Sequence, residues 1–172
     1  GKSYSGEVTS TNGILADWIS FGSNRHSAPD VVAGETVILW RYGNNDEFYW
    51  TCKGGDDYMR VKETIVFTVA NKSKRDKEKI SVNNAYYVEM STVNKSVSIV
   101  TNKSDEEPYA YTVQIDTSTG RVVIQDDSGN TIMLDSPTKR LLLENSDRSK
   151  VDVIGKSIFI ESTDSIVMKS KD

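Results

Sequence analysis

The sequence predicts an all-β protein, and two observations support that prediction. In the second half of the chain, aliphatic residues recur as doublets separated by one residue, which is the pattern of a very short strand with one apolar face. The links between the doublets are polar and turn-forming, as at residues 126–130. The doublets are Val97/Ile99, Val113/Ile115, Val122/Ile124, Ile132/Leu134, Leu141/Leu143, Val151/Val153, Ile158/Ile160 and Ile166/Met168.

The spacing of the doublets limits the architectures that this part of the chain can adopt. From Val113 onward, successive doublets begin 7 to 10 residues apart, whereas a single-chain parallel β-helix needs coils of roughly 18–25 residues. Ordering a repeat of about nine residues costs roughly 9–18 kcal/mol of backbone entropy, and two buried aliphatic side chains return about 3–6 kcal/mol. One chain can bury each doublet on one side only. We therefore predict an intertwined homotrimeric β-helix or β-prism, in which each chain contributes one strand per layer.

The first part of the chain, residues 1–75, contains longer candidate strands and all three tryptophans. Five candidate strands fall within about 70 residues, which is the strand count of a small Greek-key barrel such as an OB-fold. These candidates lie at residues 6–11, 14–21, 35–42, 47–53 and 63–71. The predicted parts are an OB-fold-like barrel at residues 1–75, a β collar or linker at residues 76–121 and the trimeric shaft at residues 122–172, whose last strand is residues 165–169.

Composition excludes several classes of partner and chemistry. The hydrophobic content of 37% is low for a globular domain and suits a thin shaft with much exposed surface. The net charge of −4 argues against nucleic acid as the main partner. Cys52 is the only cysteine, so we expect a fold that needs neither a disulfide nor an oxidising compartment. No signal peptide or transmembrane run is expected from the sequence.

Four stretches, followed by the final doublets, resemble a known family. The stretches are PDVVAGETV at residues 29–37, WRYGNNDEFYW at residues 40–50, YTVQID at residues 111–116 and VIQDDSGN at residues 123–130. In this combination the chain resembles the central spike (cell-puncturing) proteins of contractile-tailed bacteriophage baseplates. The resemblance covers most of the chain and implies an N-terminal OB-fold followed by a trimeric β-helix.

The resemblance also implies a role and a set of partners. It implies a homotrimer in the virion tail baseplate, assembled in the host cytoplasm, that acts mechanically and is not an enzyme. Its barrel would bind a tail hub or tube protein, and its C-terminal end would meet the host outer membrane or a tip protein. Two features of the family are missing. There is no His-x-His tip triplet, because His26 is the only histidine, and no stretch between Lys72 and Gly120 is long or helical enough for a lysozyme domain.

Metal and cofactor sites are not predicted. His26 and Cys52 are each alone of their type, which makes a transition-metal site within one chain improbable. The carboxylates and amide at Asp126, Asp127, Asn130 and Asp135 could suggest calcium, but their spacing is not that of an EF-hand and Asp-Ser-Gly-Asn is ordinary turn chemistry.

Catalytic residues are not predicted either. The paired carboxylates Asp56/Asp57 and Glu106/Glu107 are adjacent, so in a strand they would point to opposite faces rather than across one cleft. There is no Gly-x-Ser-x-Gly elbow, and residues 53–55 (Lys-Gly-Gly) lack the Lys-Ser/Thr pair of a phosphate-binding loop.

Two alternatives stay open. A group of aromatic residues could stack sugars or bases, which would make the barrel a glycan- or nucleic-acid-binding module; packing in the barrel core or between protomers is the favoured explanation. A trimeric tail-associated polysaccharide depolymerase, with its site between chains, is the other alternative. The aromatic group consists of Trp40, Tyr42, Phe48, Tyr49, Trp50 and Tyr58.

Overall fold

The computed structural model describes residues 13–53, 62–70, 81 and 83–169. Within these residues every regular element is a β-strand, and the strands form two sheets. The all-β prediction is therefore confirmed. The candidate strand at residues 6–11 lies outside the described residues.

The smaller sheet contains three strands in the order β1-β3-β2. Strands β2 (Val37–Arg41) and β3 (Phe48–Cys52) fall within the candidate strands at residues 35–42 and 47–53 and form an antiparallel hairpin around the Gly-Asn-Asn-Asp turn at residues 43–46. Strand β1 (Asp17–Trp18) is shorter than its candidate at residues 14–21 and pairs with β3 in parallel. The described part of the predicted barrel thus contains one three-stranded sheet. The next candidate strand of the barrel belongs to the larger sheet instead.

The larger sheet is an antiparallel meander of nine strands in which each strand pairs with the next along the chain. Every doublet from Val97/Ile99 to Ile158/Ile160 occupies one strand, as predicted. The strands are β4 (Thr64–Ala70), β5 (Ala85–Ser91), β6 (Ser96–Val100), β7 (Tyr111–Asp116), β8 (Arg121–Asp126), β9 (Thr131–Asp135), β10 (Arg140–Glu144), β11 (Lys150–Ile154) and β12 (Ser157–Glu161).

Side chains at the strand ends determine where the turns form. The Oδ1 of Asp116 accepts hydrogen bonds from the backbone N–H of Ser118 at 2.8 Å and of Thr119 at 3.1 Å. The carboxylate of Asp126 and the side-chain amide of Asn145 accept similar bonds in the next two turns on the opposite side of the sheet. These local bonds make Asp and Asn favourable at the first position of a tight turn.

We expect Gly120→Ala to destabilise the protein by about 2 kcal/mol or more. Gly120 has φ +73°, and a Cβ there would lie 2.9 Å from Cδ of Pro137 in the neighbouring turn. Gly155 is a matched control because it has φ +59° with open space around it, so Gly155→Ala should cost only about 1 kcal/mol for the backbone conformation. Urea unfolding of both variants measures the difference, and equal losses would contradict the proposed clash.

The two edges of the large sheet differ. Along β4, the backbone N–H of His26 donates to the carbonyl of Val66 at 2.7 Å, and the N–H of Thr68 donates to the carbonyl of Asn24 at 3.1 Å. An ion pair between Arg25 and Glu63 fastens the same segment. At the other edge, no described strand pairs with the outer side of β12. One edge is therefore covered by the chain itself.

The prediction of a strand at residues 165–169 is wrong. These residues are in non-regular conformation, and Ser165 and Ile166 instead lie beside the face of the sheet that contains Ile160. The alternation of Ile166 and Met168 is suited to a strand, but these residues do not pair with the outer edge of β12, which precedes them in the chain. Elsewhere the sheet crosses the predicted boundary between residues 121 and 122 without interruption, and the three-part division stays a prediction.

Candidate functional site: the apolar face of the large sheet

The strand register aligns the doublets into two continuous apolar rows, because residues that pair directly across antiparallel strands share a face. One row consists of Ile65, Met90, Val97, Ile115, Val122, Leu134, Leu141, Val153 and Ile158. The other row consists of Phe67, Val88, Ile99, Val113, Ile124, Ile132, Leu143, Val151 and Ile160. We call the surface formed by these two rows the apolar face.

The apolar face is uncovered in the single chain. None of its side chains is buried, and Leu141 and Ile158 are 50% and 68% exposed. Among all the described residues, only Ala85 and Leu142 are buried hydrophobic residues. A soluble protein seldom exposes so long an apolar surface unless another surface binds it. In the described residues the sheet is therefore a single layer, and no second layer covers the apolar face.

Part of the apolar face is concave. A groove of about 610 Å³ runs over the ends of β8 to β12, between the row of Ile160 and the residues that follow β12. Ile132, Leu143 and Val151 form part of its floor, and Ser165 and Ile166 lie along its rim. The groove belongs to the same exposed surface as the two rows, and polar residues at the strand ends border its aliphatic floor.

The opposite face of the sheet carries charges that are already paired. The guanidinium of Arg140 donates from Nε and Nη2 to the two carboxylate oxygens of Asp152, at 2.8 and 2.7 Å. Arg121 donates from Nε to Asp135 at 3.2 Å. Hydrogen bonding from Arg140 lowers the pKa of Asp152, so this carboxylate is ionised at neutral pH. The two faces differ in chemistry, and the apolar face is the one that lacks cover.

The residues considered as metal ligands do not form a cluster in the described part of the chain. The backbone N–H of His26 bonds to β4, and Cys52 ends β3. Asp126 accepts a hydrogen bond from the side chain of Asn130, which lowers the pKa of this aspartate. Asp127 pairs with Lys103, and Asp135 pairs with Arg121. Each of these residues therefore belongs to a strand, a turn, a salt bridge or a segment bonded to a strand rather than to a group of metal ligands.

The carboxylates considered for catalysis lie in loops or outside the described residues. Glu107 accepts a hydrogen bond from the hydroxyl of Tyr86 at 3.0 Å, and Glu106 lies beside it in the link between β6 and β7 with φ +68°. Asp56 and Asp57 fall outside the described part of the chain, as do Gly54 and Gly55.

The aromatic residues of the smaller sheet divide between its two faces. Trp40 pairs with Tyr49, so these two share one face, whereas Trp50 pairs with Leu39 on the other. Phe21 stacks on Trp40 with ring centroids 5.4 Å apart and the planes 5° from parallel. Tyr42 contacts Tyr49 edge to face, while Arg41 lies over Phe48. Internal stacking thus occupies part of the surface that a sugar or base would need; Tyr58 lies outside the described residues.

Sequence analysis missed the paired charges of the opposite face and the Phe21 stack. A partial signal for the first was present, because Asp116, Arg121, Asp135 and Arg140 flank two four-residue turns with alternating sign. The signal does not identify the partners, because neither observed pair, Arg121–Asp135 or Arg140–Asp152, flanks a single turn. The Phe21 stack had no comparable signal, because its two residues are not neighbours in any pairing pattern.

No protein-family model matches the sequence, and no curated protein matches it. In the described residues no helix is long and apolar enough to cross a membrane.

Proposed function

We propose that this chain is a structural component of a phage tail baseplate, namely the central membrane-piercing spike, which acts mechanically as a homotrimer. The observation that supports the proposal is the apolar face, two unbroken rows of aliphatic and other apolar side chains across nine strands, none of which is buried by the described part of the chain. Three copies of such a sheet, with their apolar faces turned inward, would form the walls of a triangular β-prism. Each layer would then contain one strand from each chain.

The dimensions of the sheet suit a narrow shaft. Most strands of the meander have five or six residues, which corresponds to about 17–20 Å in width. Nine strands spaced about 4.8 Å apart extend for roughly 40 Å along the shaft axis. Only two residues per strand are apolar and inward, which is enough to fill a thin interior but not a thick sandwich core. A narrow profile with backbone hydrogen bonds along its length is suited to mechanical load.

The N-terminal part has a separate role in the proposal. In the proposal the predicted OB-fold-like barrel at residues 1–75 binds the tail hub or tube protein, the predicted collar is residues 76–121, and the predicted shaft at residues 122–172 is directed at the host outer membrane. The sheet of the shaft continues back through the collar as far as β4, so the barrel proper is limited to the part before β4. The strands and turns of the small sheet support a compact β-module at this end. The proposed role requires no substrate turnover, cofactor or metal.

The mass of the purified chain tests the proposal. We expect light scattering coupled to size-exclusion chromatography to give three times the 19.2 kDa of one chain. Burial of the apolar rows would make the trimer stable to dilution, since each fully buried aliphatic side chain contributes about 1.5–3 kcal/mol. A compact monomer at micromolar concentration would overturn the proposal.

A further inference from the structure

The meander has two long margins formed by its links, because successive hairpins turn on alternate sides of the sheet. The links on one side are residues 92–95, 117–120, 136–139 and 155–156, and we call them the first margin. On the other side, from β6 to the end of the sheet, are residues 101–110, 127–130, 145–149 and 162–164, which we call the second margin. The link between β4 and β5, residues 71–84, lies mostly outside the described residues and is not part of the second margin. Its sequence contains five basic and two acidic residues, so the charge contrast between the margins is confined to the sheet from β6 onward.

The first margin is basic. Its links contain Lys95, Lys139 and Lys156 and no acidic residue. Within the described part of the chain, none of these three lysines forms a salt bridge. Two of them, Lys95 and Lys139, have left-handed backbones with φ of 56° and 53°, at the ends of their turns.

The second margin is acidic. Its links contain two basic residues, Lys103 and Arg148, and six acidic ones, which are Asp105, Glu106, Glu107, Asp127, Asp147 and Asp164. Lys103 pairs with Asp127, and Arg148 pairs with Glu144 at the end of β10. The acidic residues of these links outnumber the basic ones, so the second margin keeps a net negative charge.

We propose that neighbouring copies of this chain join side by side and in the same direction, with the basic first margin of one copy against the acidic second margin of the next. This inference rests on the proposed function, since it specifies how the sheets of the trimer meet. A cyclic arrangement about an axis along the sheet brings unlike margins together at every junction. An inverted neighbour would bring lysines to lysines and carboxylates to carboxylates.

The spacing of the links supports direct contact between the margins. Links on the two sides alternate along the sheet. When two neighbouring copies are level, a link of the first margin therefore lies between two links of the second margin, about 4.8 Å (one strand spacing) above one and below the other. Lys139 would then lie between the heights of Asp127 and Asp147, and Lys156 between those of Asp147 and Asp164. Because Asp127 already pairs with Lys103, Asp147 and Asp164 are the principal partners in the proposal.

A charge swap tests the inference. We expect Lys139→Glu with Lys156→Glu to raise the trimer dissociation constant about tenfold or more at low salt, because attraction becomes repulsion at three junctions. Asp147→Lys with Asp164→Lys should weaken the trimer in the same way. The four substitutions together should restore it. Light scattering over a dilution series gives the dissociation constants, and far-ultraviolet circular dichroism checks that each variant is folded.

The two reversals serve as controls for each other. They change the net charge of the chain in opposite directions, so an effect of overall repulsion would weaken one trimer and strengthen the other. High salt should reduce the loss in both variants. A trimer that both reversals leave intact, or that the combined variant fails to restore, would overturn the margin contact while the homotrimer stands. A native chain that is monomeric would overturn the proposed function as well.

Discussion

Leu141→Asp is expected to convert the trimer into a folded monomer. In the single chain Leu141 is 50% exposed, so an aspartate there remains largely hydrated and the sheet keeps its hydrogen bonds. In the proposed prism three copies of this position approach one axis, and three carboxylates would be brought together in an apolar interior. Such an arrangement combines loss of burial with like-charge repulsion, and either effect alone opposes assembly.

Two further variants sharpen this experiment. Ile158→Asp should have the same effect two strands further along the sheet, because Ile158 is 68% exposed in the chain and lies in the same apolar row. Gln114→Asp is the matched control, since Gln114 is exposed on the opposite face of β7 and should leave the mass unchanged. Light scattering gives the mass of each variant. An unchanged trimer in Leu141→Asp would count against the inward position of the apolar face.

Leu142→Ala should lower the free energy of unfolding by about 2–4 kcal/mol even where the chain is monomeric. Leu142 is the next residue in β10 and lies on the opposite face, where it is only 7% exposed. Its side chain packs within the chain itself, so truncation leaves a gap that the surrounding side chains close only in part.

Leu141→Ala is the comparison for this prediction, because the two positions share residue type and strand and differ in face. In a dilute, monomeric sample Leu141→Ala should cost less than Leu142→Ala, because Leu141 is only half removed from water there. In the trimer the cost of Leu141→Ala should rise to a similar value. Urea unfolding at low and high protein concentration separates the two cases, and a cost of Leu141→Ala that is independent of concentration would disagree with burial between copies.

The strands and turns of the meander were predictable because their determinants are local. An aliphatic doublet within five residues defines a face, and an Asp or Asn at the strand end supplies the hydrogen bonds of the turn, as at Asp116 and Asp126. Such signals act over a few residues, so one sequence reveals them.

Other features depend on contacts between distant residues and were not predictable. The doublet at Ile166 and Met168 has the right alternation, but alternation alone does not reveal that these residues leave the outer edge of β12 unpaired. The capping of β4 by residues 24–27 joins segments that are about 40 residues apart, and no periodicity marks such a contact. The basic and acidic margins become visible only when the strand register shows which links lie on which side.

The strict sequence order of the meander has a consequence for how the protein acquires its structure. Each strand finds its hydrogen-bonding partner a few residues away, so hairpins close quickly and with a small loss of chain entropy. The sheet can grow one hairpin at a time as the polypeptide leaves the ribosome, before a second molecule is needed. Copies would then associate through sheets that have already formed, and association would not be needed for the sheets to form.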